Sequence, residues 1–270
     1  FDLIDRHGIA CDPVRKGWIQ TAHSDAMLKS VETRARQWMD QGAPVELLDS
    51  AEVSRRLGTT GFRGGWIDYR AGSVQPLSYA RGLLTACRQA GVKVYGDSAA
   101  TALKRDGDGW QVSLATGATV RASRVVVATN GYTDNLWPGL KQTVLPAQSF
   151  LVATAPLPAS VGATILPNGE VSSDSRRLLV YFRRDAQGRF VLGGRGPFHD
   201  PTSVTDWKHV EHAMCLMFPQ LKGVPIDYRW AGRVAVTADF LPHLHEPEPG
   251  IVMALGYNGR GVAMATAMGR

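Results

Sequence analysis

The stretch Ile251-Val-Met-Ala-Leu-Gly256-Tyr-Asn-Gly-Arg-Gly261-Val-Ala-Met-Ala-Thr-Ala-Met-Gly-Arg270 decides how this chain is read. Ile251 to Leu255 is a short apolar run with strand character. Three glycines follow within six residues, and then a small-residue apolar segment of helical composition. Strand, glycine-rich turn and helix N-terminus, in that order, leave backbone N–H groups free at the positive end of a helix dipole. Such a turn receives an anion or an electron-rich ring edge.

A second turn of the same kind lies upstream. Arg124 to Ala128 reads as a strand, and its run Val125 to Ala128 is apolar on both faces, as in a buried parallel strand. It ends in Thr129-Asn130-Gly131, and open α/β sheets bind ligands at the C-terminal ends of their strands. Ahead of it, Ser73 to Ala90 reads as a helix with Leu77, Ala80, Leu83, Leu84 and Cys87 on one stripe and Gly91 just past its end. Val92 to Tyr95 reads as the strand after that helix. Three further strands, Ala99 to Lys104, Trp110 to Ala115 and Thr119 to Ala122, form a meander.

The flanking segments read differently. Gly17 to Thr21 is a strand, and Ser24 to Asp40 is a helix with Ser24 as its N-cap. Asp49-Ser-Ala-Glu52 is a capping box opening a short helix that ends near Gly58. From Leu145 onward, Phe150 to Thr154, Leu178 to Arg183 and Phe190 to Gly194 predict an antiparallel sheet. Thr205 to Phe218 predicts a helix that Pro219 ends, and Trp230 to Phe240 returns to strand character. The expectation is an α/β chain with an inserted antiparallel sheet.

Composition narrows the function classes. At 270 residues there is room for two domains. The 44% hydrophobic and 20% charged content is that of a soluble globular protein. The net charge of +6 is scattered, without an aromatic-interleaved basic stripe, so no nucleic-acid partner is expected. Cys11, Cys87 and Cys215 have no metal spacing or disulfide framework and predict buried or semi-buried thiols in a reducing cytoplasm. No apolar run reaches the roughly 18 residues of a membrane span. There is no Ser-His-Asp pattern, metal cluster or P-loop, and nothing fixes an oligomeric state.

With these motifs the chain resembles the D-amino-acid-oxidase-like family of FAD-dependent oxidoreductases, near its gamma-glutamylputrescine oxidase branch. The segments that carry the resemblance are Ala71 to Gly82, Arg124 to Pro138, Gly193 to Gly196, Trp230-Ala-Gly-Arg233 with Asp239 to His243, and Gly256 to Gly261. It implies a discontinuous Rossmann-like FAD domain, residues 70–145 and 226–270, and a substrate domain, residues 1–69 and 146–225. It implies Thr129, Asn130 and Gly131 near the adenosine end of FAD, and Ala100 where the backbone meets the adenine. Gly232, Asn258, Gly259, Arg260, Gly261 and Val262 would serve the flavin end. The implied reaction is hydride transfer from the carbon of an amine C–N bond to flavin, giving an imine that hydrolyses to an aldehyde, with oxygen or another acceptor reoxidising the flavin.

The chain departs from the family's pattern in several places. The G-x-G-x-x-G fingerprint that cradles the pyrophosphate is absent. The expectation is a fragment that lacks the first βαβ unit, and a non-catalytic binding module is the alternative. A nicotinamide-dependent dehydrogenase would need the same missing fingerprint. No cysteine lies near Trp230 to Arg233, where covalent relatives attach the flavin, which implies non-covalent FAD. Arg233 is one position from the arginine that binds a substrate carboxylate in amino-acid-oxidising relatives, which favours an amine without a neighbouring carboxylate. Tyr181 and Tyr257 are candidate pocket residues, with plain packing as the alternative. His243 and His245 flank Leu244 in a Pro-rich loop, and Asp68 and Glu170 read as solvated.

Overall fold

The computed structural model describes residues 1–177 and 179–269. Leu178, where one strand was expected to start, and Arg270, at the end of the last helix, lie outside the described residues. The chain forms two compact units. One comprises Phe1–Cys87, Ser149–Gly196 and Asp200–Ala231; the other comprises Arg88–Gln148, Pro197–His199 and Gly232–Arg270. Its α/β character is as the sequence implies.

The first unit is built on an eight-stranded sheet. Its strands are β1 (Trp18–Ala22), β2 (Val45–Asp49), β3 (Gly64–Asp68), β8 (Leu145–Pro156), β9 (Val171–Asp174), β10 (Tyr181–Arg184), β11 (Arg189–Arg195) and β12 (Ile226–Val236), in the order β12-β8-β11-β10-β9-β1-β3-β2. The expected antiparallel sheet is corrected in one respect: β1 and β9 run parallel, with Trp18 opposite Val171. The 152 residues between them in sequence hide that pairing from local pattern.

One face of this sheet carries the main core. Ile19, Ile67, Phe150, Phe182, Phe190 and Leu192 pack against α3 (Ser50–Leu57) and α6 (Lys208–Met217) through Val53, Leu57, Val210 and Met214. The other face meets α2 (Asp25–Asp40), whose Val31 and Ala35 are buried with Trp66 and Ala22. Ser24 caps α2 as expected, accepting from the Met27 N–H. Asp49 caps α3, accepting from the Glu52 N–H at 2.8 Å. Only half of the expected capping box forms, because the Glu52 carboxylate turns to Arg55 and Arg56 instead.

Helix α1 (Asp2–His7) ends at Gly8 in the left-handed region. Helix α4 (Pro76–Gln89) starts three residues later than expected, because Ser73 is held by two backbone hydrogen bonds to Val14. Its apolar stripe is only partly covered: Tyr79 and Leu83 pack on Ile4, Ile9 and Cys11, whereas Leu77 is exposed. Cys87 is exposed too, which corrects the expectation of a buried or semi-buried thiol there; Cys11 is buried and Cys215 partly so. Short helix α5 (Ala159–Gly162) precedes β9. The expected helix from Thr205 divides into a 3₁₀ turn over Val204–Trp207, boxed by Ser203 and Asp206, and then α6.

The second unit holds two three-stranded sheets. The meander is β4 (Ala100–Asp106), β5 (Gly109–Leu114) and β6 (Thr119–Ala122). The other sheet is β13 (His243–His245), β14 (Ile251–Leu255) and β7 (Val125–Val127), with β14 and β7 parallel and Ile251 opposite Val125. Trp110, Val127, Leu140, Ile251, Met253 and Leu255 are its core. The parallel strand was expected, but burial on both faces was not met: Val126 is 67% exposed. The expected strand at Val92 to Tyr95 does not form. These side chains are exposed, and among the described residues no strand takes their hydrogen bonds. Helix α7 (Gly261–Met268) follows the terminal glycine turn.

Candidate functional site

Because β7 and β14 are neighbours and parallel, the turns that follow them emerge side by side. Gly256 N–H donates to Asn130 Oδ1 at 3.0 Å, so the two glycine turns picked out in the sequence are joined directly. Asn130 (φ 45°) and Asn258 (φ 52°) both adopt the left-handed region, which asparagine tolerates better than other non-glycine residues. Gly256 (φ 79°) has no room for a side chain: an added Cβ would lie 2.4 Å from Thr237 Cγ2.

The end of β12 threads between these turns. A Cβ on Gly131 would sit 2.5 Å from the Arg233 carbonyl oxygen, so the first turn lies against Arg233 to Ala235. On the other side, the Asn258 N–H donates to the Ala235 carbonyl at 3.1 Å, and Asn258 Oδ1 accepts from the Thr237 N–H at 3.0 Å. Asn258 Nδ2 donates to Thr237 Oγ1 and to the Gly256 carbonyl. Thr237 Oγ1 donates to the Leu241 carbonyl at 2.8 Å. Tyr132 Oη accepts from the Arg233 N–H, and the Arg233 guanidinium lies over the Tyr132 ring. Gly232 is next to that phenol.

This clasp aims α7. The first turn of a helix has no intrahelical partners for its N–H groups, which here are those of Gly261, Val262 and Ala263. Arg260 supplies no side-chain cap; its guanidinium donates instead to the Phe240 carbonyl. A Cβ at Gly259 would meet nothing within 4 Å, so the turn is open beside those donors. An electron-rich ring edge fits this arrangement, which the helix dipole favours further. The structure therefore brings together Thr129, Asn130, Gly131, Gly232, Asn258, Gly259, Arg260, Gly261 and Val262 in the second unit. Ala100 lies in the same unit, opposite Leu114 in the meander.

Tyr257 is buried under the same turn and belongs to the second unit. Tyr181 belongs to the first, on the sheet face opposite the main core. Its hydroxyl pairs with Ser149 Oγ, and its ring crosses Gly193, its partner on β11, where any Cβ would collide with the ring. Burial pushes this phenol above its ordinary range; the Ser149 hydrogen bond and the Arg195 charge oppose that. Thr237 and Ser149, which hold Asn258 and Tyr181, carry no motif, and only the folded register identifies them.

The remaining candidates resolve into other roles. His243 and His245 are on strand β13 rather than in a loop; their rings stack at 5.1 Å, and His243 Nε2 meets Asp239 Oδ1. The Leu241 N–H and then His243 hold the Asp239 carboxyl below its ordinary range. Asp68 and Glu170 are buried, which corrects the expectation of solvated carboxylates. Asp68 takes both nitrogens of the Arg70 fork, and Glu170 binds Arg56 and Asn168. Among the described residues there is no cluster able to hold a metal ion and no helix long and apolar enough to cross a membrane.

Comparisons with known proteins agree with this geometry. The family described as FAD dependent oxidoreductase matches residues 1–270. The chain is 31% identical over its whole length to a probable oxidoreductase OrdL of Haemophilus influenzae, of which it covers 62%. It is 32% identical, again over its whole length, to the gamma-glutamylputrescine oxidoreductase of Escherichia coli, of which it covers 63%. It thus spans less than two thirds of the length of these curated relatives. Glycine oxidase from Geobacillus kaustophilus superposes with a TM-score of 0.83 at 21% identity, over 99% of this chain and 72% of that one. L-proline dehydrogenase from P. horikoshii gives a TM-score of 0.83 at 19% identity, over 99% and 73%. These structures share the fold. The chain belongs to the family of FAD-dependent oxidoreductases, enzymes whose cofactor is FAD.

Proposed function

We propose that this chain is part of an enzyme that oxidises the C–N bond of a small amine using non-covalently held FAD. The observation that carries the reading is the joined pair of turns, in which Asn130 and Asn258 hold an uncapped helix N-terminus open beside Gly259. When bound, FAD would supply the hydride acceptor for the carbon of the C–N bond and the route for the electrons to oxygen or another acceptor.

The chain's own residues hold, orient and stabilise. The N–H groups of Gly261 and Val262 and the dipole behind them stabilise negative charge at the ring edge. Thr129 to Gly131 hold the adenosine end, and Ala100 offers backbone to the adenine. Gly232 leaves the strand clear beside Tyr132. Tyr257 packs beneath the turn, and Tyr181, fixed by Ser149 on the sheet of the first unit, is a candidate pocket residue there. The imine leaves and is hydrolysed by water to aldehyde and amine. Sequence likeness to a protein named gamma-glutamylputrescine oxidoreductase supports an amine as the substrate class.

The test is spectroscopic. Purified protein supplied with FAD should show visible flavin absorbance that bleaches when an amine is added without oxygen and returns on admitting air or an artificial acceptor. Protein that takes up FAD but is bleached by no amine would sink the amine reading. Protein that stays colourless in excess FAD would leave a binding module as the better account.

A further inference from the structure

We propose that the second unit carries a binding site of its own for a small alkylated ammonium ion, in a cavity between Trp137 and the Pro-rich loop that follows β13. This goes beyond the amine-oxidation reading and does not depend on it.

The cavity has a volume of about 300 Å³, at the lower end of small-molecule pockets. All of its lining belongs to the second unit. Its apolar part includes Leu140 and Met253, both buried. Trp137, Thr143, His245 and Glu246 are among the side chains around them. Met253 lies three residues before Gly256, about 10 Å along β14, which sets it back from the glycine turns.

The lining is held in place by its neighbours. The Trp137 ring meets Trp110 edge-on, with 6.0 Å between centroids and 65° between planes. Trp110 Nε1 also donates to the Pro249 carbonyl at 3.3 Å, and the Arg105 guanidinium donates to the same oxygen at 2.9 Å. The Gly250 N–H donates to Glu246 Oε1 at 3.4 Å, and the Ile251 N–H donates to the Glu248 carbonyl at 3.1 Å. Pro247 and Pro249 fix φ between these anchors. The His245 ring stacks on His243, which Asp239 holds. A pocket preorganised in this way loses little binding energy to ordering.

Charge names the ligand. Among the described residues of the lining, Glu246 is the acid, and no lysine or arginine appears. Glu246 accepts the Gly250 N–H with one oxygen, and among the described residues no cation pairs with it. Glu248 adds a second negative charge two residues on. The neighbouring cations are placed elsewhere. Arg105 lies over the Trp110 ring at 4.8 Å, and Lys141, next to Leu140 in the chain, is exposed and not part of the lining. Thr143 donates its hydroxyl to the Leu140 carbonyl. An indole, an apolar floor and a carboxylate without a cation select a positive charge that wears an apolar coat. They disfavour an anion, and also a strongly hydrated metal ion.

The experiment uses the FAD-loaded protein and two probes of equal size, choline and 3,3-dimethylbutan-1-ol. They differ in a positive nitrogen against a neutral carbon. A quaternary nitrogen has no lone pair with which to form an imine, so choline is not a substrate for the reaction proposed above. Binding is measured by calorimetry and by tryptophan fluorescence. Choline should bind about 3- to 30-fold more tightly than the alcohol, the range for a cation against an aromatic face. Glu246→Gln should remove most of that preference, with an unchanged thermal unfolding curve showing that the variant is folded. Trp137→Phe should remove most of the fluorescence change that choline causes. Equal binding of the two probes to the wild type, an undiminished preference in Glu246→Gln, or a fluorescence change that survives intact in Trp137→Phe overturns the assignment. These outcomes are read whether or not any amine is oxidised, so failure of the reaction reading and failure of this site are separate results.

Discussion

At the scale of single residues, Asn130 separates what the backbone needs from what the site needs. Its left-handed φ of 45° is a conformation glycine adopts freely, whereas its Oδ1 is the only side-chain atom linking the two turns directly among the described residues. Asn130→Gly should therefore keep the turn and lose the clasp, costing about 1 kcal/mol of stability and weakening FAD affinity by a larger factor than its stability change accounts for. Gly131→Ala acts differently. The added Cβ meets the Arg233 carbonyl oxygen at 2.5 Å, so backbone must move, at about 1–3 kcal/mol. Urea unfolding and flavin titration on both variants check this. Equal FAD affinity in wild type and Asn130→Gly would show that the turns need no link. The turns themselves were legible in the sequence because glycine and asparagine report local backbone conformation. That Asn130 reaches Gly256 was not legible, since it depends on β7 and β14 lying side by side 126 residues apart.

At the scale of elements, legibility followed the range of the forces involved. Ser24 and Asp49 announced α2 and α3 because a cap is satisfied within three residues. Val92 to Tyr95 had strand composition, yet a strand also needs a neighbour, and composition does not supply one. The α3 cap shows a further limit: the spacing of Asp49 and Glu52 predicted a reciprocal box, but Arg55 and Arg56 offered the Glu52 carboxylate stronger, charge-assisted partners. Those partners depress the Glu52 pKa from an ordinary 4.5 to about 2. A carboxylate with a lowered folded-state pKa stabilises the fold fully above its unfolded pKa and progressively less as pH falls toward the folded one. The stabilisation should thus be present at pH 6 and lost between about 4.5 and about 2. Because the Glu52 side chain is 29% exposed, solvent screening reduces it to about 1 kcal/mol. Comparing urea midpoints of the wild type and Glu52→Gln at pH 6 and pH 3 tests the sign: the gap between them should narrow at pH 3, and a gap that widens contradicts it.

At the scale of the whole molecule, the two units differ sharply in what they bury. The main core of the first holds eighteen buried apolar side chains, and that of the second holds six. The second also leaves Val92, Val94, Tyr95, Val126 and Val262 exposed, and no side chain of α7 is buried. Since burial of apolar surface is the leading favourable term in folding, the unit that carries the glycine turns should open first. Local stability of this kind is measurable because the tryptophans divide cleanly: Trp110 and Trp137 report on the second unit, and Trp18, Trp38, Trp66, Trp207 and Trp230 on the first. Thermal unfolding followed by fluorescence should show two transitions, the lower one diminished in amplitude by Trp137→Phe. A ligand that binds the folded second unit raises that unit's transition by mass action. Saturating FAD should then move the lower transition upward and shift the upper one less. A single transition that Trp137→Phe leaves unchanged in shape would show that the first unit's core governs both, and the turns would owe their order to it rather than to the clasp of Asn130 and Asn258.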